Sequence, residues 1–415
     1  MEQIIQWLGN LPWWMWLESQ PWWPPFVTAS LVIWALFAGF LALGLPPMAM
    51  ISLTWLERKI VARIQDRIGP NRAGPFGLLQ AVADTIKMLT KEDITPTGAD
   101  RLPYNLAPGL VAISAVLVYA VIPFASGLIG ADLNIGVLYV VAVGSIGILG
   151  VLMAGWSSNN KYALLGAFRA VAQLVSYEIP IMIALVTVVM VAGSMSTVAI
   201  TEAQSFANGH IWFIVSMPLT WFIFFVASVA ETGRSPFDLL EAESEIIAGF
   251  HVEYTGLKFG LFMIGEYVHM LAVAMLTAVI FLGGYRGPFI DQAVAYSPLL
   301  GGVLGFIYFN IKTFIFVFIM MWFRGTLPRF RIDHLLDFGW KFLVPVGLIN
   351  LVVTALLVKL FQPDIGPLGS LNYLLPVALL VTNLALIALS MWAVRNVARR
   401  NRQNVGLRAL SAVEN

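Results

Sequence analysis

Residues 230–254 read AETGRSPFDLLEAESEIIAGFHVEY and carry six carboxylates, Glu231, Asp238, Glu241, Glu243, Glu245 and Glu253, against the single Arg234. Long apolar runs flank this stretch on both sides, so the acids sit at or just inside a bilayer boundary. Like charges held so close cannot all stay ionised cheaply, and some must share protons. A proton-handling device is the chemistry that suggests itself first. A solvated cytoplasmic loop is the plainer alternative. On a helix through 238–245, Asp238, Glu241 and Glu245 share one face, while Glu243 points elsewhere.

Further acids fall within or at the ends of apolar runs: Glu57, Glu178, Glu231 and Glu266. A charge at mid-bilayer costs at least about 2.5 kcal/mol on insertion scales, so each needs a partner, a water or a proton. Glu178 follows Arg169, Gln173 and Tyr177, a polar stripe at four-residue spacing, and precedes Pro180, whose ring removes a backbone donor. It is the acid expected to relay protons between the loop and the membrane interior. Glu266 and His269 share a helical face and read as a hydrogen-bonded pair, with a packed histidine as the plainer reading. Lys312, about ten residues from either end of its span, reads as a counter-ion to one of these acids. Arg58, Lys59, Arg63 and Arg67 form a cationic collar after the first span, which anchoring at the cytoplasmic face explains equally well.

The elements that position these groups follow from composition. Of 415 residues, 59% are hydrophobic and 11% charged, whereas a soluble domain carries about 25% charged residues. Apolar runs of roughly 20 residues, the length a helix needs to cross a bilayer, recur along the chain. The expected fold is an all-α integral membrane protein with nine spans: about 27–57, 105–126, 134–155, 164–193, 211–231, 258–283, 303–323, 340–361 and 372–394. Pro46-Pro47 should kink or tilt the first. No interrupted helix and no tandem repeat is legible. Between the first two spans, residues 75–91 place Leu79, Val82, Ala83, Ile86 and Leu89 on one face, and Gln80, Asp84, Lys87 and Lys91 on the other. This is an amphipathic helix expected at the cytoplasmic interface.

Twenty-one of the 24 Lys and Arg fall in alternate connections and the C-terminal segment, against Arg286 alone on the opposite side. The positive-inside rule then puts the N-terminus outside and the C-terminus in the cytoplasm of a prokaryotic plasma membrane. Three regions are expected. Residues 1–26 form an external Trp-rich segment of the interfacial belt. Residues 27–362 form the transmembrane core, with the acidic cytoplasmic loop at 232–257. Residues 363–415 supply an extra span and a basic tail facing cytoplasmic headgroups.

With no cysteine in the chain, disulfides, iron–sulfur ligation and thiolate metal sites are excluded. The four histidines, His210, His251, His269 and His334, have no metal-ligand spacing, and there is no Walker loop. Any redox cofactor or nucleotide is therefore expected on a partner, not here.

Four long motifs occur in order along residues of roughly 50–355. The first runs from Glu57-Arg58-Lys59 through Gly69-Pro70-Asn71 and Ala83-Asp84 to Lys91-Glu92. The second is GWSSNNKYALLGAFRAVAQLVSYE, ending at Glu178. The third is AETGRSPFDLLEAESE into His251-Val252-Glu253-Tyr254, and the fourth runs from Arg324 through LPRFRID to Trp340-Lys341. Together they resemble the H-subunit family of the proton-pumping NADH:quinone oxidoreductases, respiratory complex I, known in mitochondria as the ND subunit one family. The resemblance implies eight core spans around the membrane end of a quinone tunnel, beside an acidic passage toward antiporter-like subunits. By motif position, Arg58, Arg67, Asp84, Phe237, Asp238, Arg324 and Arg329 would face the quinone. Glu57, Glu178, Glu231, Glu241, Glu243, Glu245, Glu253 and Glu266 would form the proton path. Quinone would be the substrate, while FMN and the iron–sulfur clusters would reside in partner subunits of the complex, leaving this chain inactive alone. The ninth span extends the usual core, His334 stands where Gln is common, and His269 where Asn is usual. An equivalent subunit of a membrane-bound hydrogenase or a ferredoxin- or F420-dependent dehydrogenase is a second reading of the same motifs. A stand-alone proton-coupled carrier is a third, which interrupted helices at mid-membrane would favour.

Overall fold

The computed structural model describes Leu36 and residues 39–205, 211–238, 249–361 and 374–413. Its principal helices are α1 (Leu45–Ile64), α2 (Leu79–Thr90), α3 (Arg101–Leu117), α4 (Gly136–Ser157), α5 (Lys161–Ala192), α6 (Pro218–Glu231), α7 (Gly256–Leu282), α8 (Pro298–Thr326), α9 (Val344–Phe361) and α10 (Leu374–Val413). Among the described residues, seven helical stretches are long and apolar enough to cross a membrane, those built on α3, α4, α5, α7, α8, α9 and α10. The protein is thus all-α and multi-pass. The expected span at 27–57 lies partly outside the described residues.

The expected span at 211–231 is not one helix. A turn at Phe213–Ser216 is followed by Met217 (φ −129°, ψ 61°) and then by α6, which starts at Pro218. Proline cannot donate to the preceding turn and pushes the residue before it out of the helical region. The interruption that was not legible in the sequence is therefore Pro218 itself. It leaves backbone donors at a new helix start, which is costly in lipid unless they are satisfied. Asn383 of α10 accepts from Leu219 N at 3.3 Å, and Asn350 of α9 donates to Thr220 Oγ1 at 2.8 Å. Met217 is fully buried there.

Elsewhere the chain absorbs proline without breaking. A π turn at Phe40–Gly44 precedes Pro46-Pro47, and another at Gly339–Leu343 precedes Pro345. Widening the turn separates the proline ring from the carbonyl it would strike. The expected kink near Pro46-Pro47 takes this form, and the second keeps Ile332–Phe361 one continuous apolar stretch.

α7 lies at the centre. Its residues are the most deeply buried of any candidate span, and it packs against α1, α2, α3, α6 and α8. Close approach depends on small residues. A Cβ on Gly155 of α4 would fall 2.3 Å from the Cβ of Ala167 on α5, and one on Gly166 would fall 2.7 Å from the backbone of Gly249. These contacts bring the end of the acidic loop against α5. Helix α2 forms where an amphipathic element is expected, and Leu79, Val82, Ile86 and Leu89 are all exposed, facing away from the rest of the chain.

Candidate functional site

The turn after α6 gathers the chemistry. Arg234 is 3% exposed and bridges two acids from different helices, Glu57 Oε2 of α1 at 2.8 Å and Glu266 Oε1 of α7 at 3.0 Å. Its guanidinium lies 4.4 Å above the Tyr267 ring. Arg324, in the last turn of α8, also reaches Glu57, through Oε1. Two carboxylates and two guanidiniums thus form one ion-paired group centred on the buried Glu57 and Arg234. Planar guanidinium suits that bridging role better than a lysine would. Sequence reasoning assigned Arg234 no role, although a lone cation amid six acids is the signal.

Two small cavities lie beside this group. The first, about 110 Å³, is lined by Ser114, Thr232, His251, Glu266, Glu231 and His269 among apolar neighbours. The second, about 40 Å³, is lined by Glu178, Thr197, Ser228, Glu231 and His269. Gly144, Glu231 and His269 are common to both. Glu178 Oε1 accepts from Ser145 Oγ of α4 at 2.7 Å. Ser145 was missed in the sequence, although it is the sole hydroxyl of α4 between Tyr139 and Ser157. The expected Glu266–His269 pair is not made. Glu266 turns to Arg234, and His269 Nε2 lies 3.9 Å from Glu231 Oε1.

The stripe Gln173 and Tyr177 does not surround Glu178 but ties other elements together. Gln173 is fully buried and donates to Ala230 O at 2.7 Å and Phe237 O at 2.8 Å. Tyr177 donates to Leu335 O at 2.9 Å. Lys312, expected as a counter-ion, instead donates to Leu282 O, Gly284 O and Arg286 O at 2.6, 2.8 and 2.5 Å. It closes the carboxyl end of α7, where Gly283 turns the chain at φ 67°.

A third cavity, about 380 Å³, is almost wholly apolar and lies on the other side of this turn. Phe237, Phe323, Phe330, His334, Leu335 and Phe338 form most of its wall. Phe237 stacks on Phe330 with ring centroids 5.6 Å apart, and Arg329 pairs with Asp238 at 3.0 Å. Of the candidate quinone residues, Phe237 alone lines this cavity, while Asp238, Arg329 and Arg324 each adjoin a lining residue in sequence. Arg58 is joined to Asp84 of α2 at 2.7 Å, and the exposed Arg67 bonds Gln65 at 2.7 Å; neither lines that cavity.

Glu253 accepts from Asn160 at 2.7 Å, and its carbonyl accepts from Tyr104 at 2.8 Å. Tyr104 stacks on Tyr254 at 4.2 Å, and burial pushes the Tyr254 phenol up to about 12, so it stays a neutral donor to Tyr104 O. The end of the acidic loop is fixed by these contacts. Glu241, Glu243 and Glu245 lie outside the described residues.

The family described as NADH dehydrogenase matches residues 37–355. A relative from Dehalococcoides mccartyi (strain CBDB1), named as the H subunit of NADH-quinone oxidoreductase, is 50% identical over 323 residues, 78% of this chain and 86% of its own length. An H subunit of NADH-quinone oxidoreductase from Geobacter metallireducens is 47% identical over 74% of this chain and 91% of its own length. Another, from Geobacter sulfurreducens, is 46% identical over 73% and 89%.

Proposed function

This chain belongs to the NADH dehydrogenase family, and on that premise we propose that it is the subunit of a proton-translocating NADH:quinone oxidoreductase that forms the membrane end of the quinone tunnel. It also begins the acidic path toward the antiporter-like subunits. One observation carries the reading. The turn 232–237 lines the apolar aromatic cavity through Pro236 and Phe237 and the first carboxyl-lined cavity through Thr232 and Gly233, and Gln173 ties both ends of the turn to α5.

The aromatic cavity would take the quinone head, since flat apolar rings pack against Phe237, Phe330 and Phe338. The Asp238–Arg329 pair would meet the charge that reduction creates. Arg58 and Asp84 would lie nearer the entrance, with Arg67 beside them. Reduction would shift Phe237 and its carbonyl, and the Gln173 amide would pass that shift to Ala230, next to Glu231. Protons would then move along Glu266, Glu231 and Glu178, with Glu57, Glu253, Glu241, Glu243 and Glu245 completing the path at the loop. Partner subunits would hold FMN and the iron–sulfur clusters. Helix α2 would lie in the interface with its exposed leucine face in lipid, the N-terminus outside and the C-terminus in the cytoplasm.

A photoreactive quinone analogue added to the assembled complex tests the tunnel. Labelling should fall on the Phe237–Phe330–Phe338 wall and fade when native quinone competes. Competed label confined to other segments would remove the assignment. A reporter after Asn415 should be cytoplasmic and one near Glu2 external.

A further inference from the structure

The two carboxyl-lined cavities meet at three residues, Gly144, Glu231 and His269, and only two of these can carry a proton. We propose that His269 passes protons between the cavities, accepting at one ring nitrogen from the Glu231 side and releasing from the other toward Glu178. This rests on the reading that Glu266, Glu231 and Glu178 form the proton path, and names a further carrier at the junction beside Glu231.

The geometry leaves passage between the cavities to Glu231 and His269. Glu266 stands one helical turn before His269 on α7 and opens only to the first cavity, while Glu178 opens only to the second. Each space exceeds the roughly 15 Å³ that one water needs, so water can connect groups within a cavity. The residues common to both linings are His269, Glu231 and Gly144. A Cβ on Gly144 would sit 3.7 Å from Glu231 Oε1, so the junction is narrow. Imidazole has two nitrogens on opposite edges, takes a proton on one and gives up the proton on the other, and resets by tautomer exchange or rotation. No atom is gained or lost by the residue.

The charged and titratable neighbours are Glu231 from α6, Glu178 from α5, Glu266 from its own helix, and Arg234 and His251 from the connection between α6 and α7. Arg234 is engaged by Glu57 and Glu266. Among the described residues, the recorded ion-pair neighbour of Glu231 is His269.

The test uses the complete complex in proteoliposomes, measuring proton uptake, quinone-linked NADH oxidation, and NADH oxidation by an artificial acceptor. His269→Gln keeps the reach and a polar end but cannot become a cationic carrier, and His269→Leu fills the space without polarity. Both should assemble, keep the artificial-acceptor rate, and lose proton uptake and coupled turnover at least about ten-fold. Glu231→Gln and Glu178→Gln are the controls for the path itself. If these two abolish pumping while His269→Gln pumps at more than half the wild-type rate, His269 is not a carrier. If His269→Leu fails but His269→Gln does not, the ring merely packs and hydrogen-bonds, which also overturns the proposal. If neither Glu variant affects pumping, the path reading falls and the proposal with it.

Discussion

Four acids, Glu57 buried and Glu178, Glu231 and Glu266 half-buried, lie close together in this protein, yet they form two kinds of site. Glu57 and Glu266 are clamped by Arg234, with Arg324 also on Glu57, so each negative charge meets a guanidinium. Glu231 and Glu178 face His269 and Ser145 instead, and each borders a cavity with room for water. A carboxylate held by arginine is fixed in place and ties its helix to the turn. An acid offered a hydroxyl, an imidazole and room for water has neighbours with which to exchange a proton. The contrast divides the acids into a clasp at the turn and, on the proposed function, a mobile-proton segment beyond it, with Glu266 bordering both.

The largest expected effect lies on the clasp. Arg234→Met leaves Glu57 and Glu266 facing each other with one cation fewer. Removing one partner of a buried pair costs about 3–5 kcal/mol. The amount of assembled complex and its thermal midpoint should both fall steeply, and Arg234→Lys should recover only part, since a lysine cannot fork between two acids. Normal assembly of Arg234→Met would show that partner subunits, and not this cluster, hold the turn.

The mobile segment should respond oppositely. Glu178→Gln and Glu231→Gln keep shape, and the first keeps the bond from Ser145, so assembly should stay near wild type. Proton uptake and quinone-linked turnover should fall about ten-fold or more, in step. Glu178→Asp should keep part of both. Assembly defects as severe as those of Arg234→Met would erase the distinction.

Much of this division could not be read from spacing. The sequence identifies the acids and places them against apolar runs because hydropathy and charge are local properties. It cannot say which acid meets which arginine, since Glu57 and Arg234 are 177 residues apart and Arg324 and Glu57 are 267 apart. The Glu266–His269 expectation failed for that reason. Helical spacing puts two residues on one face, but Arg234, from outside the helix, offers Glu266 a stronger partner. Lys312 failed because a count of charges ignores carbonyls, and the end of α7 supplies three of them. The break at Pro218 was visible as a proline in an apolar run. What hid it was the expectation that roughly 20 apolar residues make one helix, whereas Asn350 and Asn383 allow two pieces. An interrupted helix was set as the mark of a carrier. Here Asn383 fills the interruption, and α6 borders the described cavities only from Phe224 onward.

Arg67 sharpens the comparison from outside both acid groups. It is exposed, its side chain bonds Gln65, and it lines none of the cavities described above. Arg67→Ala should leave assembly and artificial-acceptor activity unchanged and raise the apparent KM for long-tailed quinone by a few-fold, consistent with about 1 kcal/mol at an exposed contact. Equal loss of quinone-linked and artificial-acceptor activity in an intact complex would count against a role at the entrance.

The smallest effect is the most specific. Ser145 Oγ donates to Glu178 Oε1 at 2.7 Å, and α4 supplies no other hydroxyl nearby. A hydrogen bond of this kind contributes about 1 kcal/mol when the carboxyl is neutral and about 1.5–3 kcal/mol when it is charged. If Glu178 exchanges protons, Ser145→Ala disturbs one of its two states more than the other, and coupled turnover should drop by roughly five-fold. The effect should vanish in the background of Glu178→Gln, where there is no proton to exchange, so that the two changes are non-additive. Quinone-linked turnover of the wild type, both single variants and the double variant measures that coupling directly. Additive losses would mean that Ser145 acts on the packing of α4 against α5, and would leave Glu178 without the partner that sets it apart from the arginine-held acids.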